Sequence, residues 1–138
     1  MQQAGYRIVY DQTQLSQMKL GKNEKLLGLF NTSNLSYDLN RSLKQMTLAA
    51  LDILTQNKNG FFLMVEGGRI DHALHDTNAK RALQDTIALN EALDATIKKL
   101  QQSDPELKNT LIVITADHDH TLILNGYAKR TGKYVQGQ

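Results

Sequence analysis

Cysteine is absent from this 138-residue chain, tryptophan is absent too, and proline occurs once. Without cysteine there can be no disulfide and no thiolate metal site. The compartment stays open, because secreted proteins can also lack cysteine. No apolar run approaches the roughly 18 residues of a membrane span. The first residues lack the charged, apolar and small-residue blocks of a signal peptide. Charge of one sign is also scarce, since the net charge is +2 and acids and bases are interspersed. Nucleic-acid binding calls for a basic patch. The nearest approach is Lys129, Arg130 and Lys133 near the end, which reads as a solvated tail. There is no internal repeat and no low-complexity segment.

What is present is enough for a core: 41% of the residues are apolar, an ordinary fraction for a globular domain. The length fits one domain or part of one. Gly5 to Tyr10 reads as a short strand, Asp11 to Met18 as a short helix or turn, and Leu26 to Phe30 as another strand. Asn31 to Asn40 has loop composition. Ser42 with Gln45 has the form of a capping box. The helix after it carries Leu43, Met46, Ala50, Leu51 and Leu54 on one stripe and stops at Asn57 to Gly60. A longer helix is expected from about Ala79 to Gln101, with Ala79, Leu83, Ile87, Leu93, Ile97 and Leu100 as its apolar stripe. Asp94 and Lys98 stand at i, i+4 on its polar side. Ser103-Asp104-Pro105 ends it.

Two apolar runs flank that helix. Phe61 to Val65 and Leu111 to Ile114 both read as strands buried on two faces. Such strands belong to parallel sheets covered by helices. Strand, long helix, strand is then one right-handed crossover unit, which puts Glu66 and Asp117 at the same carboxyl edge. Ligands bind at that edge in open α/β sheets. The expected fold class is α/β, a three-layer αβα arrangement with a mostly parallel sheet. Thr121 to Leu124 is a further strand candidate.

The polar residues after the two runs carry the chemistry. The first run leads into Glu66, Arg69, Asp71, His72, His75 and Asp76, the second into Asp117, His118, Asp119 and His120. All four histidines of the chain lie in these two clusters. In a helical turn, Asp71 and His75 share one face and can reach a common Zn²⁺ through carboxylate and imidazole. Glu66 offers the oxygen that suits a harder ion such as Mg²⁺.

Together, VEGGRIDHALH and TADHDH resemble the metal-binding segments of the alkaline phosphatase family. GYRIVY, LLGLF, the capped helix and the long helix follow in the family's order, so the resemblance runs from about Gly5 to His120. It implies a partial copy of that family's fold, residues 1–138 being a single partial domain internal to the catalytic domain, from its C-terminal half. It implies two Zn²⁺ and one Mg²⁺ in the parent protein. Glu66 matches a Mg²⁺ ligand. Asp71 and His75 match ligands of the first zinc, and Asp117 and His118 match ligands of the second. His120 matches a histidine beside the first zinc rather than bonded to it. His72 lies where the family has Lys or His, near the bound phosphate and the magnesium. Asp119 departs from the small residue usual there and is expected to face solvent. Arg69 does not match the family's phosphate clamp and reads as surface or ion pair.

The family's nucleophilic serine and phosphate-binding arginine precede the matched segment, and the last histidine of the first zinc follows it. The chain thus resembles an excerpt with two of three protein ligands at each zinc, expected to be inactive and incompletely metallated by itself. The implied parent is a homodimeric, periplasmic or secreted phosphate monoester hydrolase, with no nucleic-acid partner and no membrane span. The alternatives are a related metallohydrolase, such as a phosphodiesterase or sulfatase, and a non-catalytic metal-binding or assembly domain.

Overall fold

A computed structural model describes residues 1–21, 24–32, 35, 40–124 and 126, with backbone only at 40–42. A 3₁₀ turn at Gln2–Ala4 is followed by β1 (Tyr6–Val9), α1 (Gln12–Gln17), β2 (Lys25–Gly28), α2 (Asn40–Leu54), α3 (Arg69–His75) and α4 (Ala79–Leu100). The fold is mixed helix and strand around a small parallel sheet.

β1 and β2 are parallel, with Tyr6 opposite Lys25 and Val9 opposite Gly28. The chain between them contains α1, so this is itself a strand–helix–strand unit. α1 starts where the Asp11 carboxylate accepts from the Gln14 amide at 2.7 Å, which satisfies an N–H that the helix cannot. Val9, Leu15 and Ala49 form a buried cluster, and Met18, Leu20, Leu26, Phe30 and Met46 close around it. The sheet therefore reaches α2 through apolar contact.

α2 carries the expected stripe. Leu51 is buried, while Leu43, Met46, Ala50 and Leu54 are half-buried. Its start differs from expectation. The helix already includes Asn40, so Ser42 is a residue of its first turn and not the N-cap. It ends before Gly60, whose φ of +87° is a left-handed turn conformation that costs glycine little.

α2 and α3 both pack on α4. α4 runs as expected. Asn78 caps it by accepting from the Arg81 amide at 3.0 Å. Lys98 and Lys99 fill its last turn, where cations suit the helix dipole. Lys98 Nζ bonds Asp94 at 2.6 Å. Its buried face differs from expectation. Ala82, Asp85, Ala88, Ala92 and Leu100 are buried, whereas Leu83 and Ile87 are 59% and 58% exposed. The buried stripe is rotated by roughly a quarter of a turn from the one read from large apolar residues. Small alanines face the two helices packed on α4, letting the backbones approach closely.

The larger correction concerns the apolar runs. Neither Phe61 to Val65 nor Leu111 to Thr115 is a hydrogen-bonded strand. The expected burial on two faces is not found either. Leu63, Val65 and Ile112 are half-buried, while Phe62 and Leu111 are 86% and 89% exposed. A strand exists only by pairing, and among the described residues no ladder reaches either run. The parallel sheet that does form is the β1–β2 pair. Thr121 to Leu124 is likewise no strand, with Ile123 and Leu124 exposed. Lys129, Arg130 and Lys133 lie outside the described residues. Among the described residues no helix is long and apolar enough to cross a membrane.

The return from α4 is a tight loop. The Asp104 carboxylate accepts from the amides of Lys108 and Asn109 at 3.0 and 2.9 Å and from Thr110 Oγ1 at 3.0 Å. These donors hold its carboxyl below the usual range, the Asn109 amide most strongly, although partial burial opposes them. Leu107 takes a φ of +51° inside this loop, a left-handed conformation uncommon for a residue other than glycine.

Candidate metal centre

The first cluster is placed by a close contact. A side chain on Gly67 would sit 3.1 Å from Ile70 Cδ1 and 3.3 Å from Leu89 Cδ2. Glycine at this position lets the segment lie tightly against Leu89 of α4 and Ile70 of α3. Glu66 is exposed, and its Oε1 would lie 3.2 Å from a Cβ at Gly68, so its carboxylate folds over the start of α3. Ala73, completely buried, seats α3 on the rest of the protein.

That helix does what the spacing anticipates. Asp71 and His75 lie one turn apart, with Nε2 of His75 3.4 Å from Oδ1 of Asp71. The second cluster then comes in from the far end of α4. His120 Nε2 is 3.5 Å from the same oxygen and His118 Nε2 is 3.9 Å from it. The His75 and His120 rings meet edge to face at 4.6 Å between centroids. Asp71 Oδ1 is buried and accepts no hydrogen bond. Asp71, His75 and His120 each offer a ligand atom, all within 4.8 Å of one another. A carboxylate oxygen ringed by imidazole nitrogens is a donor set that a divalent cation can occupy.

Hydrogen bonds distinguish the histidines. His118 Nδ1 lies 2.7 Å from the Asp119 carbonyl. A carbonyl only accepts, so Nδ1 carries the proton and the neutral ring keeps a lone pair at Nε2. This is the arrangement of a metal-ligating histidine. Asp117 Oδ2 is 3.6 Å from that Nε2. The Asp119 carbonyl, and after it the Asp117 carboxylate, hold the His118 pKa above its ordinary value.

His120 is the reverse case. Its Nδ1 accepts from the Thr121 amide at 3.1 Å, so in the neutral ring the proton is on Nε2, facing Asp71. His72 resembles His120: its Nδ1 lies 3.1 Å from Arg69 Nη1, and a guanidinium can only donate. The neutral His72 ring therefore presents an Nε2–H.

Glu66, His72, Asp117 and His118 all stand outside the Asp71–His75–His120 group. The Asp117 side chain is 88% exposed. Asp119 is exposed and serves His118 through its backbone carbonyl. Arg69 is half-buried, and Asp85 is a buried carboxylate on α4 whose pKa burial raises while the charges of Arg81 and then Arg69 pull it down. The sequence reading left Asp85 unremarked. The signal was there, because Asp85 falls three residues after Ala82 and three before Ala88, within the small-residue face of α4.

The family model for alkaline phosphatase matches residues 1–138. This chain belongs to the alkaline phosphatase family. The tissue-nonspecific isozyme of alkaline phosphatase from Rattus norvegicus is 41% identical over 128 residues, covering 88% of the chain and 24% of that protein. The membrane-bound alkaline phosphatase of Bombyx mori is 37% identical over 135 residues, covering 94% and 24%. In fold, the chain superposes on a cold-active alkaline phosphatase from the psychrophile Shewanella sp. with a TM-score of 0.68 at 28% identity. That match covers 74% of the chain and 26% of the solved structure. The chain thus spans about a quarter of the alkaline phosphatases it matches.

Proposed function

We propose that this chain is the metal-binding part of a phosphate monoester hydrolase, with Asp71 and His75 holding one Zn²⁺, Asp117 and His118 a second, and Glu66 contributing to a Mg²⁺ site. The observation that carries the reading is the buried Asp71 Oδ1, which accepts no hydrogen bond yet lies 3.4 Å from His75 Nε2. Two ligand atoms on a tetrahedral zinc, each about 2 Å from the ion, stand roughly 3.3 Å apart. The observed pair has that separation.

The chain's own residues have separable tasks. Asp71 and His75 present oxygen and nitrogen from one helical face. His118 turns the lone pair of Nε2 outward because the Asp119 carbonyl holds Nδ1–H. His120 stands beside the Asp71–His75 pair, with Nε2 3.5 Å from Asp71 Oδ1. His72 offers an Nε2–H donor that suits a phosphate oxygen. Bound there, a pair of zinc ions would stabilise the attacking and leaving oxygens of phosphoryl transfer and lower the pKa of a bound water.

No serine of this chain is assigned as the nucleophile. The chain by itself is expected to turn over no phosphate ester. With two protein donors at each zinc, instead of the usual three of a catalytic site, it is expected to bind zinc weakly. Calorimetric zinc titration of the wild type and of His75→Ala combined with His118→Ala tests the donors. Binding lost in the double variant supports the assignment, and unchanged binding overturns it. Tight uptake of two equivalents would overturn the incomplete ligand set. Zinc-dependent hydrolysis of a chromogenic phosphate ester, abolished by Asp117→Ala, would overturn the expected inactivity.

A further inference from the structure

Residues 61–65 and 111–115 share an unmet requirement. Among the described residues, no backbone N–H or C=O of either run bonds to another backbone group. Neither run contains a charge or a proline, the residues with which native proteins guard an open strand edge. Their burial alternates as in an extended chain. Leu63, Val65 and Ile112 are half-buried, while Phe62, Met64, Leu111 and Val113 are exposed. The two runs also lie side by side and point the same way. They follow the C-terminal ends of α2 and α4, which the Asp52–Lys99 ion pair ties together. They lead to one cluster, where His118 Nε2 is 3.9 Å from Asp71 Oδ1. Parallel apolar runs held together at both ends would form a ladder if they were neighbours. No ladder joins them, so a space separates them.

We infer that the space between residues 61–65 and 111–115 is a docking slot for one strand, hydrogen-bonded to both runs. The occupant is an apolar segment from the part of an alkaline phosphatase polypeptide that this chain does not span. This chain covers about a quarter of the alkaline phosphatases it matches, so ample polypeptide of that kind lies outside it. The slot defines the chemistry of its guest. Adjacent strands stand about 4.8 Å apart, so a slot for one strand sets the two runs about 9.6 Å apart. A strand paired on both sides uses every N–H, which excludes proline from its middle. Lying next to two uncharged runs, it is itself apolar and about as long as they are. The inference rests on family membership and not on the metal assignments.

Two measurements on the full chain test the slot. Because the chain has no cysteine, pairs of them report on spacing without interference. Phe62→Cys or Met64→Cys, each combined with Leu111→Cys or Val113→Cys, should form no disulfide within the chain on oxidation. A disulfide needs Cα atoms within about 7 Å, closer than the slot allows. Short overlapping peptides covering the parts of the Shewanella sp. enzyme outside its match to this chain then serve as guests. One of them should bind and slow amide exchange about ten-fold in both runs, leaving α4 unchanged. The same peptide with proline at its middle residue should give no protection. A disulfide in any of the four pairs would overturn the inference, by making the runs neighbours. So would protection by no peptide, protection of one run alone, or protection that survives the proline. Protection that rises with the chain's own concentration, without peptide, would overturn it by assigning the slot to a second copy. Zinc enters none of these readouts, so the metal assignments stand or fall separately.

Discussion

Asp71 and His75 sit one turn apart on a helix docked against α4, whereas Asp117 and His118 sit on a segment with no regular structure of its own. The first pair inherits its geometry from tertiary packing: a buried alanine, a glycine pressed on Leu89, a cap at Asn78. The second pair is arranged locally, by an imidazole bonded to the next residue's carbonyl and an amide bonded to the next imidazole. Damage to the helical frame should therefore reach the first pair through many contacts. The second should answer mainly to its own few bonds and to the loop that delivers it.

Leu51→Ala should break this comparison most strongly. Leu51 is 1% exposed on α2, which packs against α4, and a cavity there costs about 2–5 kcal/mol. Urea unfolding should show that loss, with both pairs disordered together. Ala73→Leu should separate them. Overpacking under α3 costs about 1–3 kcal/mol. NMR shifts should move most at Asp71 and His75 and less at His118. Equal movement in both segments would erase the distinction.

Acid should act on the loop before the second pair. Asp104 has a folded pKa below its unfolded value, so its stabilising effect is fully present above about pH 3.9. That effect is lost as pH falls through the lower, folded value. Unfolding measured from pH 7 down to 2 should show wild type more stable than Asp104→Asn at neutrality, with the gap closing in that acidic window. A gap that persists at pH 2 would contradict the assigned bonds. Smallest of all should be Asp119→Ala, within about 0.5 kcal/mol in unfolding, because the backbone carbonyl that holds His118 survives. A loss near that of Ala73→Leu would show that the exposed carboxylate matters.

How much of this was legible in the sequence depends on whether a local rule suffices. The spacing of Asp71 and His75 needed only helical periodicity. α4 was bounded by its helical periodicity and by the Ser103 to Pro105 break. Its buried face was misread because Leu83 and Ile87 outweigh Ala82, Ala88 and Ala92 on any hydrophobicity scale. Close helix packing selects the small residues instead. The two apolar runs were misread for a different reason. Strand pairing is a property of neighbours, and Phe62 or Leu111 carries no mark of whether a neighbour is there. Convergence of the histidines was legible from their confinement to two clusters. The division of labour between His118 and His120 was not, because it turns on backbone groups one residue away.

The Asp104 carboxylate binds three donors spread over Lys108 to Thr110, immediately before the second run. It thereby works as a length gauge. One residue more or fewer between Asp104 and Thr110 would either break those bonds or shift every later residue by one place along the path to Asp71. A shift of one place sets Asp117 or Asp119 where His118 now stands, exchanging an imidazole for a carboxylate. The chemical identity of the donors reaching Asp71 is thus counted out in a turn that contains none of them.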